Sequence, residues 1–274
     1  MVMLLRTLEF ALPLGYFVTI WAYAKAFFSG SKTAESAKTP LLVVSLALHA
    51  TYIILRTVFL DHPPITSVFE ILSLIAFTIS IVYLYIEMRT GNRMTGYFIL
   101  ILPFFFQLVS SLFIKENETV PAILQNNLLG VHVSSALLGM AAITISAVYG
   151  LLYLMLYHEI KSSRFGVIYQ RLPNLEVLER MSFTAAVFGF AFLTVAIIIG
   201  TVWLPKSVPT FSYADPKLWG TIAIWLIYGI GFTGRSLAGW RGRKIIVVSL
   251  FGFALSILSM TLINVLFTSF HKFY

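Results

Sequence analysis

An all-α, polytopic integral membrane fold with about eight transmembrane helices is what this sequence predicts, on three observations. Apolar residues make up 59% of the 274, against 19 basic and 11 acidic side chains, so no single water-soluble core can hide them. The apolar residues also gather into runs of roughly 17–25, the length a helix needs to cross a hydrocarbon core. Finally, the basic residues sort to one side of those runs, as they do in membrane proteins.

The runs fall at about 8–28, 39–60, 66–88, 95–114, 128–157, 182–204, 217–233 and 244–270. The first starts near Glu9, is too polar at its beginning for a signal peptide and lacks a small-residue cleavage site, so it reads as a retained helix. Between the fifth and sixth helices, the connection His158–Arg180 has room for a short amphipathic helix around Leu172–Leu178, with Pro173 at its start. The connection 204–216 carries Pro205, Pro209 and Pro216, which forbid a regular helix through it. Such a loop on the membrane surface is either a ligand shelf or a plain connector. With no separable soluble segment and no glycine-rich nucleotide loop, residues 1–274 read as a single membrane domain.

Thirteen of the 19 Lys and Arg lie in the odd-numbered connections and their flanks: Lys25, Lys32, Lys38, Arg89, Arg93, Lys161, Arg164, Arg171, Arg180, Arg235, Arg241, Arg243 and Lys244. Those connections are expected in the cytoplasm, which puts both termini and the even-numbered connections outside. The net charge of +8 is then topological, and no basic surface outside the membrane supports nucleic-acid binding. Cysteine is absent, which excludes a thiol nucleophile, a CxxC carrier, a cysteine-held iron–sulfur site and disulfides.

The five histidines are sorted by this topology. His132 opens the fifth helix, His271 closes the eighth and His62 lies in the loop Asp61–Ile65, all three at the expected outer boundary. Two imidazoles on separate helices can supply both axial ligands of a heme iron; interfacial histidines also simply bond headgroups and water. His49 falls near the middle of the second helix, where it could ligate a second heme, relay a proton or bond a backbone carbonyl. His158, beside Glu159, reads as solvated. Arg56 and Glu70 flank a tight Pro-Pro loop at equal depth and can form an ion pair; alternatively Arg56 offers its donors to a ligand carboxylate or propionate. Gln107 and Asn264 read as interhelical hydrogen-bond formers. Phe104, Phe105, Phe106, Trp219, Trp225 and Tyr228 could pack a planar ligand, although lipid contact and helix packing use the same residues.

In order along the chain, several segments resemble the CcsA-type cytochrome c assembly proteins: RTVFLDHPPITSVFEIL at 56–72, HVS at 132–134, LPNLEVLERMSF at 172–183, GTVW at 200–203, DPKLWGTIAIWLIYGIGF at 215–232, GWRGRK at 239–244, and the Asn264-to-His271 spacing. The resemblance covers roughly residues 40–274 and is most specific in the 215–232 run. It implies a protein that holds heme b at an outer site between two histidines, here His132 and His271, with Arg56 near a propionate, His62 as a supporting or alternative ligand, and Asp215 and Trp219 at the site's edge. Two departures stand out. The tryptophan-rich WWD segment is replaced by LPKSVPTFSYAD, which keeps Asp215 but offers only Phe211 and Tyr213 as aromatics, and Phe232–Arg235 stands where relatives carry the histidine of an LHTR-like sequence.

Loss of those tryptophans resembles the HemX-type branch, which is linked to heme biosynthesis through the abundance of glutamyl-tRNA reductase. The resemblance thus implies a heme carrier, sensor or assembly factor rather than a conventional enzyme, in a bacterial cytoplasmic membrane. Its expected partners are heme, the lipid bilayer and either glutamyl-tRNA reductase or a CcsB-like membrane protein. A delivery subunit for cytochrome c maturation is the alternative within the family. A secondary transporter using His49 as a proton site is the alternative outside it, and no clear inverted repeat speaks for that.

Overall fold

The computed structural model describes residues 2–114, 126–163, 165–207 and 211–266. Among them are ten helices and no strand: α1 (Val2–Ser29), α2 (Lys32–Leu60), α3 (Val68–Thr90), α4 (Gly96–Phe113), α5 (Asn127–Lys161), α6 (Val167–Arg171), α7 (Leu175–Val202), α8 (Leu204–Ser207), α9 (Pro216–Leu237) and α10 (Arg243–Leu266). By length and hydropathy α1–α5 and α7, the last counted with α8, can each cross a membrane. Helices α9 and α10 stand where the seventh and eighth spans are expected.

Helices α1, α2, α5, α7 and α9 outrun their apolar cores, because hydropathy marks the hydrocarbon slab while caps mark where the hydrogen-bond ladder stops. The Ser31 side chain accepts the Ala34 N–H, so α2 starts at Lys32 and runs through Pro40. A Leu172–Leu178 helix does not form. The short helix is α6, upstream of Pro173, and Asn174 accepts the Val177 N–H at 2.9 Å to start α7 at Leu175 rather than 182. The proline-bearing connection after α7 contains one short turn of helix, α8.

The described residues form two compact units, α1–α4 and α5–α10. In the first, α1 packs against α2 and α4, and α3 against α4 and α2. Its core joins apolar groups such as Leu42, Ile79 and Ile99 to buried polar ones. In the second, α5 packs along α7 and is also covered by α10, while α9 lies against α10 and α7. The approach of α5 to α7 needs Gly189, where a Cβ would come within 2.8 Å of the Ile143 side chain. A hydroxyl knot holds three of these helices: Ser146 Oγ lies 2.7 Å from Ser249 Oγ and donates to the Ser182 carbonyl at 2.8 Å.

Candidate functional site

In the first unit, the polar residues Lys38, Ser45, His49, Tyr52 and Arg56 of α2 recur every three, four or seven residues, as do Glu70, Ser73, Ser80, Tyr83 and Glu87 of α3; all ten are buried. Each set therefore forms a stripe along one helix face. At one end Arg56, 2% exposed, donates from Nε and Nη2 to Glu70 Oε1 at 3.0 and 2.9 Å, and from Nη1 to Glu9 Oε1 at 3.4 Å. Glu70 Oε2 in turn accepts the Thr66 N–H and hydroxyl, and Tyr52 donates to Glu9 at 3.2 Å. The ion-pair arrangement is thus the one the guanidinium adopts, with Glu9 of α1 as an additional partner.

His49, fully buried, lies with Nδ1 2.9 Å from the Tyr16 hydroxyl and Nε2 2.9 Å from the Ser73 hydroxyl, which donates on to Gln107 Oε1. Both ring nitrogens are engaged with hydroxyls, not a carbonyl, and the chain links all four helices. Gln107 bridges as expected; the side chain of Asn264 lies outside the described residues. At the other end Glu87, 1% exposed, accepts hydroxyl bonds from Tyr23 at 2.6 Å, Tyr83 at 2.8 Å and Thr39. Nearby Lys38 reaches Glu35 and the Arg93 carbonyl, each at 2.9 Å. Glu87 resembles a surface charge in an EMRTGNR stretch, and only its spacing from Ser73 and Ser80 could have marked it as buried.

The loop after α2 turns at Asp61, in left-handed conformation with φ 56°. It folds His62 inward to 5% exposure, with Nδ1 2.9 Å from the Pro63 carbonyl. A carbonyl oxygen can only accept, so Nδ1 donates to it, and in a neutral ring the lone pair then sits on Nε2. That Nε2 is buried without a protein partner among the described residues.

In the second unit His132 stands in the second turn of α5, half-buried, and its Nδ1 lies 2.9 Å from the Ala196 carbonyl of α7. The same logic makes Nδ1 the donor and leaves the Nε2 lone pair outward of that bond, the form in which imidazole binds a metal. Close approach is permitted by Gly200, one turn beyond Ala196, where a Cβ would sit 3.1 Å from His132 Cε1. The glycine of the GTVW segment therefore has a physical role that hydropathy does not reveal.

Past the same end of α7, Tyr213 donates to the Thr201 carbonyl at 3.3 Å, and Trp219 Nε1 donates to the Tyr213 carbonyl at 2.9 Å. Both rings remain about 60% exposed, and Phe211 meets Tyr213 edge to face at 4.9 Å. Asp215, 4% exposed, caps α9 by accepting the Lys217 N–H at 2.8 Å. His271 lies outside the described residues. His158 is exposed, as expected. Phe232 lies parallel to Phe183 and Phe190 at 6.4 Å, so hydrocarbon packing occupies the place of the LHTR-like histidine.

The chain is 27% identical over 226 residues to the cytochrome c biogenesis protein CcsA of Heterosigma akashiwo, covering 69% of this chain and 70% of that protein. It is 24% identical over 274 residues to CcsA of Trieres chinensis, covering 86% of each. To the protein HemX of Bacillus subtilis it is 28% identical over 120 residues, 44% of each chain. The family model described as cytochrome C assembly protein matches residues 40–271, a stretch that contains both His62 and His132 and ends on His271. This all-helical, multi-pass membrane chain belongs to the cytochrome c assembly protein family.

Proposed function

We propose that the protein binds heme b at its outer face, with His132 and His271 as the iron ligands. The observation that carries this reading is the His132 imidazole, whose Nδ1 is tied to the Ala196 carbonyl so that Nε2 presents its lone pair. The donor chemistry fits heme: a neutral imidazole on a rigid helix, with the rings of Tyr213 and Trp219 exposed past the same end of α7. Asp215 supports that edge by fixing the start of α9. Arg56 and His49 serve the first unit's interior, since each is engaged by partners there. His62, its Nδ1 bonded to the Pro63 carbonyl, likewise belongs to the first unit.

A heme held by His132 and His271 would be suited to holding, sensing or transfer rather than oxygen chemistry. We assign the protein to the HemX-like role, a heme sensor linked to heme biosynthesis, because LPKSVPTFSYAD contains no tryptophan. A second reading, heme delivery for cytochrome c maturation, is favoured by the match to CcsA proteins over most of their length.

The site is tested by absorption spectra of the protein purified in mild detergent, oxidised and reduced, beside His132→Ala and His271→Ala. A low-spin spectrum lost in both variants is expected; heme bound equally by the double variant would move the site elsewhere. Cells lacking their own CcsA-type factor separate the two roles. Restored covalent cytochrome c means delivery, and altered glutamyl-tRNA reductase abundance without it means regulation.

A further inference from the structure

Helix α6 is five residues long and buries none of them. Its segment exposes three large apolar side chains, Phe165 at 58%, Val167 at 39% and Tyr169 at 44%, with the Phe165 and Tyr169 rings edge to face at 4.8 Å. The backbone beneath them is fastened. Glu159 Oε2 accepts the Tyr169 N–H at 2.8 Å, and Gln170 Nε2 donates to the Phe165 carbonyl at 3.3 Å. A segment held this firmly while exposing three large apolar side chains is shaped for a surface.

The surroundings identify that surface. Lys161, Arg180, Arg241, Arg243 and Lys244 are all exposed where α5 ends, α7 begins and α9 turns into α10. These ends are tied together by Glu179, which accepts from Arg235 Nη1 at 2.9 Å and from the Gly242 N–H at 2.8 Å. With Glu179 and Glu159 engaged in these bonds, the exposed charge at this end is predominantly positive; Glu176 is exposed there as well. Because α6 sits between two spanning helices, a bilayer boundary lies within a few residues on either side. Anionic headgroups match the basic residues, and the acyl boundary beneath them matches the apolar ones.

We propose that α6 is an in-plane membrane anchor: Phe165, Val167 and Tyr169 enter the interface of the bilayer that α5 and α7 cross, over anionic lipid headgroups gathered by Lys161, Arg180, Arg241, Arg243 and Lys244. The proposal stands apart from the heme reading, and its test needs no heme.

The chain has no cysteine, so Val167→Cys gives a single attachment point for an environment-sensitive fluorophore on the full-length protein. In nanodiscs containing phosphatidylglycerol, blue-shifted emission is expected, with quenching by lipids spin-labelled near the headgroup. The quenching should be about twofold or more stronger than in pure phosphatidylcholine and should weaken as salt is raised. Adding Phe165→Ser and Tyr169→Ser to the labelled chain should return the emission toward that of water-exposed dye. Water-like emission in both lipids overturns the proposal and leaves α6 to a soluble partner. Equal, salt-insensitive quenching in both lipids overturns the anionic assignment.

Discussion

The hydrogen bond from His132 to the Ala196 carbonyl fixes the orientation of an interfacial imidazole, and Gly200 makes room for it. Gly200→Ala places a methyl group against His132 Cε1 without touching any ligand atom. Alanine favours a helix over glycine by roughly 0.5–1 kcal/mol, so the helix itself should not suffer. The expected outcome is an unchanged melting temperature with heme affinity lowered about tenfold or more, the scale on which groups that orient a metal-binding histidine act. Heme titration of the purified variant checks this; unchanged affinity would detach His132 from the iron. The sequence exposed His132, because a histidine at a helix end is conspicuous. It concealed Ala196 and Gly200, since a carbonyl acceptor and a missing side chain have no signature of their own. Arg56 and Glu70 were legible as a pair because only a short proline turn separates their helices, whereas Glu9 arrives from a distant helix and was not.

The element that organises the first unit is the polar face of α3, and Glu87 is its anchor to α1 and α2. Three hydroxyls, from Tyr23, Thr39 and Tyr83, all donate to its carboxylate. Glu87→Gln keeps the shape but replaces one acceptor oxygen by an NH2 group that faces donors. At least one hydroxyl is then left unsatisfied in a buried site, which costs about 1–3 kcal/mol. A lowered melting temperature in detergent is expected, with the heme spectrum unaltered because the change lies in the other unit; a wild-type melt would make the network dispensable. Apolar run lengths were enough to find the spanning helices, because the bilayer imposes them. They could not find the ends, which Ser31 and Asn174 set by capping, nor the short helix α6, whose five residues carry no periodicity to read.

At the scale of the molecule, the outer-face assignment depends on which side of the membrane the termini occupy, and the distribution of 13 of the 19 basic residues is the argument for it. That distribution has a structural counterpart in each unit. In the first, Lys38, Arg93 and Glu87 share one end, and Arg56, Glu70 and His62 lie toward the other. In the second, Glu179, Arg235 and the basic turn Arg241–Lys244 lie at one end, and His132, Tyr213 and Trp219 at the other. Absence of cysteine makes sidedness directly measurable with single substitutions at exposed positions. Ser212→Cys, past the end of α7, is expected to react with a membrane-impermeant maleimide in intact spheroplasts. Thr33→Cys, at the start of α2, and Ser236→Cys, near the end of α9, should react only after the membrane is opened. The reverse pattern would place His132 at the cytoplasmic face and turn an outer heme site into an inner one, so this experiment decides where a heme-loaded protein could present its ligand.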